Sequence, residues 1–134
     1  MNVFEIDGKN FDDFDGFIAE FDRVFISHVE GHCLAEGSWW NGNLDVFNDY
    51  LFQPDEPYLI RWKNSWKSRR DLGYDAMIVW LLRHVLECKS PSKSAFWDEV
   101  DAARRQEGPT LFDWIVEIIN GNAPHASLEL DDRT

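Results

Sequence analysis

Tyr58-Leu59-Ile60-Arg61-Trp62 decides how this 134-residue chain is read, because a brief aromatic and branched run of this kind suits a buried strand of a parallel sheet. A parallel strand needs helical crossovers on either side of it. Upstream, Pro54 and Pro57 end a short acidic helix that starts near Gly42 and Asn43, where Asn43 can cap it. Leu44, Phe47 and Leu51 recur along it at i, i+3 and i+7, toward a core. Residues 27–38, with Gly31 and Gly37 and no clear period, read as a loop with room for one helical turn. Further upstream, residues 2–6 read as a strand closed by the turn dipeptide Asp7-Gly8. Asn10 is then expected to cap a helix that carries Phe11, Phe14, Phe17, Ile18, Phe21 and Phe25 at helical spacing. Asp12, Asp13, Asp15, Glu20 and Asp22 fall mostly on its opposite face and read as ordinary solvated charge.

Downstream, residues 63–70 are polar and basic and suggest a helical turn. A helix over about 74–88 follows, with Met77, Ile78, Leu81, Leu82 and Val85 on one side. Ser90-Pro91-Ser92-Lys93-Ser94 breaks it, 96–106 suggests another helix, and Gly108-Pro109 breaks that one. Thr110 with Asp113 makes a capping-box-like start for a last helix that points Leu111, Phe112, Ile115, Ile118 and Ile119 inward and Trp114 and Glu117 elsewhere. Gly121 is its expected stop. Ala126, Leu128 and Leu130 then alternate with Ser127 and Glu129, a strand with one wetter face. Strands separated by helices predict an α/β fold: a small three-stranded parallel sheet packed with helices, in a single domain over 1–134.

Composition narrows the function. Hydrophobic residues make up 44% of the chain and include seven Trp and ten Phe, so a core can form without staples. The net charge of −12 is unevenly spread. Residues 1–56 hold 13 acidic and 2 basic side chains, whereas 57–108 hold 7 acidic and 10 basic. Direct binding of nucleic acid is disfavoured, since phosphate contacts are made by Lys and Arg. A negative surface instead attracts cationic proteins and speeds their association. Cys33 and Cys88 lie far apart with no Cys-x-x-Cys partner, no stretch approaches the length of a membrane span, and no leader-like segment opens the chain, so a reducing cytoplasm is expected.

The segment Trp39-Trp40-Asn41-Gly42-Asn43-Leu44-Asp45-Val46-Phe47-Asn48-Asp49 concentrates aromatic, amide and carboxylate groups on one loop and helix. With Leu44, Phe47 and Leu51 turned inward, Asp45, Asn48 and Asp49 share the other face. Carboxylates at i and i+4 repel by roughly 0.2–0.5 kcal/mol, a cost Asp45 partly recovers at the positive end of the helix dipole. A stripe kept against that cost suits a cationic partner. An enzyme that used Asp45 and Asp49 as an acid–base pair would need them to flank a cleft, and adjacent turns of one helix present a convex surface. His28, Glu30, His32 and Cys33 lack a fourth metal ligand at recognisable spacing, and no nucleophile elbow or Gly-rich phosphate loop occurs. No catalytic residue, metal or cofactor is therefore expected.

The 39–49 segment resembles the aromatic-aromatic-Gly-x-Asn-Leu-Asp motif of the barstar family, intracellular inhibitors of secreted ribonucleases such as barnase, with a later Asp four residues on. Phe4-Glu5-Ile6-Asp7-Gly8 is similar to the family's first strand and turn, 58–62 to its strand ending in Trp, and 110–130 to its last helix and strand. Trp stands at both aromatic positions where the family has Tyr, Asn41 precedes the glycine, and Asn48 stands where the family often has Trp. About 35 residues near 72–107 look inserted, as helices. The resemblance implies that Asp49 is the central acidic contact, that Asp45 and Asn43 flank it, that Trp39 and Trp40 are apolar anchors, and that Glu117 lies on the neighbouring helix. It implies a one-to-one inhibitor of a basic ribonuclease or nuclease toxin, an immunity protein, monomeric when free. The alternative from another class is an acidic regulatory module that binds a basic protein unrelated to nucleases, through the 72–107 region.

Overall fold

Three strands pair in the order β1-β2-β3, all parallel: β1 is Asn2–Asp7, β2 is Tyr58–Lys63 and β3 is Ala126–Asp131. The computed structural model describes residues 2–26, 44–52, 54–85 and 93–131. The expected three-stranded parallel sheet with helical crossovers is what the chain builds, with the Tyr58 run as its central strand. Ile6 aligns with Trp62 and Phe4 with Ile60, so one face of the pleat carries Ile6, Tyr58, Ile60, Trp62 and Ala126, all buried. The opposite face carries the row Glu5, Arg61, Glu129, with Arg61 3.7 Å from Glu5 and 2.7 Å from Glu129. That row satisfies the charge on an open face which a parallel sheet more often covers.

Six α-helices lie among the described residues: α1, Phe14–Phe21; α2, Leu44–Leu51; α3, Ser65–Asp71; α4, Tyr74–Val85; α5, Lys93–Arg104; and α6, Leu111–Asn120. None is long and apolar enough to cross a membrane. Several of the described aromatic side chains form one stack against the sheet. Phe17 lies on Trp62 at 5.3 Å between ring centres, Phe21 meets Phe47 of α2 at 4.8 Å, and Phe112 of α6 closes edge-on against Trp62 at 5.0 Å. The indole N–H of Trp62 donates to Ser68 Oγ at 2.9 Å, which settles the polar end of a fully buried ring.

The start of α1 differs from expectation. Asn10 does not cap it, because Gly8–Asn10 forms a 3-10 turn capped by Asp7, whose carboxylate accepts from the Lys9 N–H. Phe11 follows in extended backbone, and Asp13 is the cap, accepting from the Gly16 N–H at 2.8 Å. Three residues with capping side chains compete here, and the turn has already consumed Asn10. Gly8 is required where it sits: a Cβ there would lie 2.5 Å from Ser68 Oγ and 2.6 Å from the Asn64 carbonyl oxygen. A π-helical turn, Asp22–Ile26, extends α1 and brings Phe25 into the core.

Glu20 and Asp22, expected on the solvated face, are both buried. Glu20 accepts from the Asp7 N–H at 3.0 Å, from the Asn10 amide at 2.9 Å and from the Arg23 guanidinium at 2.7 Å. It ties the end of β1 to the end of α1, a role that periodicity alone assigns to solvent.

The capping box at Thr110 and Asp113 forms as expected, and Leu111, Phe112, Ile115 and Ile119 are buried. Gly121 follows α6 in right-handed backbone (φ −66°) rather than the left-handed form of a glycine stop. The Asn122 amide instead donates to the Ile118 carbonyl at 2.8 Å, replacing a backbone bond the helix has lost. α5 begins at Lys93, three residues before expectation, because Pro91 is the only strong breaker in the serine-rich segment. α4 and α5 pack on each other, and α4 meets α6 through Trp80 and Trp114, edge to face at 5.2 Å.

Candidate functional site

α2 is anchored from beneath. Leu44, Phe47 and Leu51 are buried at the expected spacing, and the Tyr58 hydroxyl donates to the Leu51 carbonyl at 2.8 Å, anchoring the last turn to the central strand. Burial pushes the Tyr58 phenol well above its ordinary range, so this anchor stays protonated to strongly alkaline pH.

On the other side of α2, Asp49 is exposed and Asn48 is half-buried. Among the described residues Asp49 forms no ion pair, in contrast to Asp12, Asp15 and Asp71, which are each met by Lys or Arg. α2 packs along α6, where Glu117 is exposed and also unpaired among the described residues. The two helices are joined by a 2.9 Å bond from the Asn122 amide to Asn48 Oδ1. The orientation of both amides follows from a third group. The Ile118 carbonyl can only accept, so the buried Asn122 must turn its Nδ2 toward Ile118 and Asn48. Asn48 therefore turns its oxygen inward, and its own Nδ2 has no acceptor among the described residues. An outward amide donor and two carboxylates without an ion pair among the described residues can meet acceptors and cations of a partner.

Of the residues singled out from sequence, Asn48, Asp49 and Glu117 thus lie on one pair of packed helices. Trp39, Trp40 and Asn43 lie outside the described residues, as does the side chain of Asp45, whose backbone belongs to the first turn of α2. His28, Glu30, His32 and Cys33 lie outside them too, and no cluster of metal-ligating side chains occurs among the described residues.

Sequence reasoning missed two residues here. Phe52, 62% exposed, continues the stripe of Asn48 and Asp49 one turn on, its N–H donating to the Asp49 carbonyl at 3.2 Å. The signal was present: with Leu44, Phe47 and Leu51 assigned inward, the helical period leaves position 52 outward. Asn122 carried no such signal, since a turn amide acquires its role only from what folds against it. Comparison with protein-family models, with curated proteins and with solved structures found no match to this chain.

Proposed function

We propose that this protein is a barstar-like inhibitor of a basic ribonuclease, binding one to one through the acidic face of α2 and its flanking aromatic residues, as an immunity protein does against a toxic nuclease. The observation that carries the reading is Asp49: a carboxylate on a helix anchored to the core, exposed and without a cation among the described residues, in a segment with the family's aromatic and Asn-Leu-Asp pattern. A ribonuclease cleft is lined with Arg, Lys and His that bind phosphates, and carboxylates on a stiff helix occupy the same subsites. Asp45, Asn48 and Asp49 supply polar contacts, with Asn43 at the helix start and Glu117 on α6 beside them. Trp39, Trp40 and Phe52 supply apolar area at low entropic cost. The parallel sheet order and the excess of 13 acidic over 2 basic residues in 1–56 support the same reading.

The test is an RNA-cleavage assay in which purified protein is titrated into a panel of basic ribonucleases, barnase among them. Stoichiometric loss of cleavage by at least one nuclease is the expected result. Full activity of every member at micromolar inhibitor would count against the proposal.

A further inference from the structure

A groove of about 300 Å³ lies between the start of α1 and the outer face of α4, with no residue of α2 in its lining. Its size is at the lower end of binding pockets, roughly 300–1,000 Å³. The floor is apolar: Ala76, Val79 and Trp80 line it, and Val79 is 54% exposed on a helix whose Met77 and Leu81 are buried. Asp75, Val79 and Arg83 follow at four-residue spacing, so the valine sits in the middle of an otherwise charged stripe.

Asp13, Asp15, Asp71 and Asp75 rim this floor. Two of them are answered within the chain: Arg83 meets Asp15 at 3.0 Å, and Lys67 meets Asp71 at 2.6 Å. Asp13 spends one oxygen on the Gly16 N–H, and Asp75 has no ion pair among the described residues. The groove therefore offers an apolar seat between carboxylates whose charge exceeds that of the cations beside them.

We propose that this groove docks a basic amphipathic segment of a protein partner, with one apolar side chain seated on Val79 and Trp80 and flanking Lys or Arg side chains on Asp75 and Asp13. Charge complementarity selects the occupant. An acidic or purely apolar segment would face unanswered carboxylates, and a small polyamine would leave Val79 uncovered. The site shares no residue with the α2 face, so it stands whether or not that face binds a ribonuclease.

The test uses the full chain, labelled with ¹⁵N and titrated with a short helical Leu/Lys peptide, its Leu/Glu analogue and spermidine. Saturable shifts centred on α4 and the Asp13 turn with the Leu/Lys peptide alone are expected. Val79→Lys and Asp75→Lys, both at exposed positions and checked by thermal melting, should each weaken that binding by at least about tenfold, as loss of a central anchor does. Equal shifts with spermidine, shifts centred on α2 and α6 instead, unchanged binding by both variants, or a dimer by sedimentation that already covers α4 would each overturn the proposal.

Discussion

Glu20 shows how little a charged residue's position on a helical wheel says about its job. Periodicity assigns it to water, yet it is buried and accepts from the Asp7 N–H, the Asn10 amide and Arg23. The reason is that β1 ends against α1, and a backbone N–H and an amide left there need an acceptor. Glu20→Leu should strand both donors and destabilise the protein by about 1–3 kcal/mol in urea unfolding, and a change under about 0.5 kcal/mol would contradict the assigned role. Gly8 makes the converse case, a residue whose value is an absent side chain. Gly8→Ala should force Ser68 and the Asn64 carbonyl apart and lower the unfolding midpoint, whereas a surface glycine would tolerate the change. Neither role was legible in sequence, because Glu20 meets its donors only once α1 folds back on the end of β1, and Gly8 meets Asn64 and Ser68 only once α3 packs against that turn.

At the scale of the element, legibility followed how many groups competed for the same task. The start of α6 was read correctly because Thr110 and Asp113 are alone in offering a reciprocal cap. Thr110→Ala should cost about 1 kcal/mol of stability by denaturant titration, the usual worth of such a cap, and an unchanged midpoint would show the box to be idle. The start of α1 was misread because Asp7, Asn10 and Asp13 can all cap and only the fold apportions them. The strands were the clearest elements, each a short run of one period bounded by Gly, Pro or a polar turn. For the candidate site, the inward set of α2 was legible, and with it the places of Asn48 and Asp49 outside that set, whereas Phe52 beside them was overlooked. The tie from Asn122 to Asn48 and the anchor from Tyr58 to Leu51 were not, since each joins a turn or strand to a helix it meets only on folding.

Charge acts on the molecule as a whole through the pH range of its stability. Burial alone would raise the Asp7 carboxyl, but hydrogen bonds from the Lys9 N–H and the Asn64 amide, with the charges of Lys63 and Lys9, hold it below the usual carboxylate range. The hydrogen bond and charge of Lys67 lower Asp12. Groups depressed in the folded state add stability that is present above their unfolded pKa and lost as pH falls through the folded value. Stability should therefore begin to fall near pH 5, by about one unit above the ordinary carboxylate pKa, and Asp7→Asn should make that acid limb shallower in a pH series of thermal melts. Lys67 sets the opposite limit. Burial disfavours its ammonium, but Asp12 and Asp71 overcome this and raise it above 10.5, so its contribution is intact below that value and is lost as pH rises through the higher folded one.

The net charge of −12 sets the molecule's encounter with a cationic partner: association should be fast at low ionic strength and slow steeply as salt screens the acidic surface. What salt cannot report is whether a particular carboxylate ends inside the complex. That is the central claim, and it is tested most directly by the dissociation rate of the complex with an inhibited basic ribonuclease, measured for the wild type and for Asp49→Ala. A carboxylate buried among cations predicts faster dissociation equivalent to about 2–5 kcal/mol, with association changed far less. An unchanged dissociation rate would contradict the account.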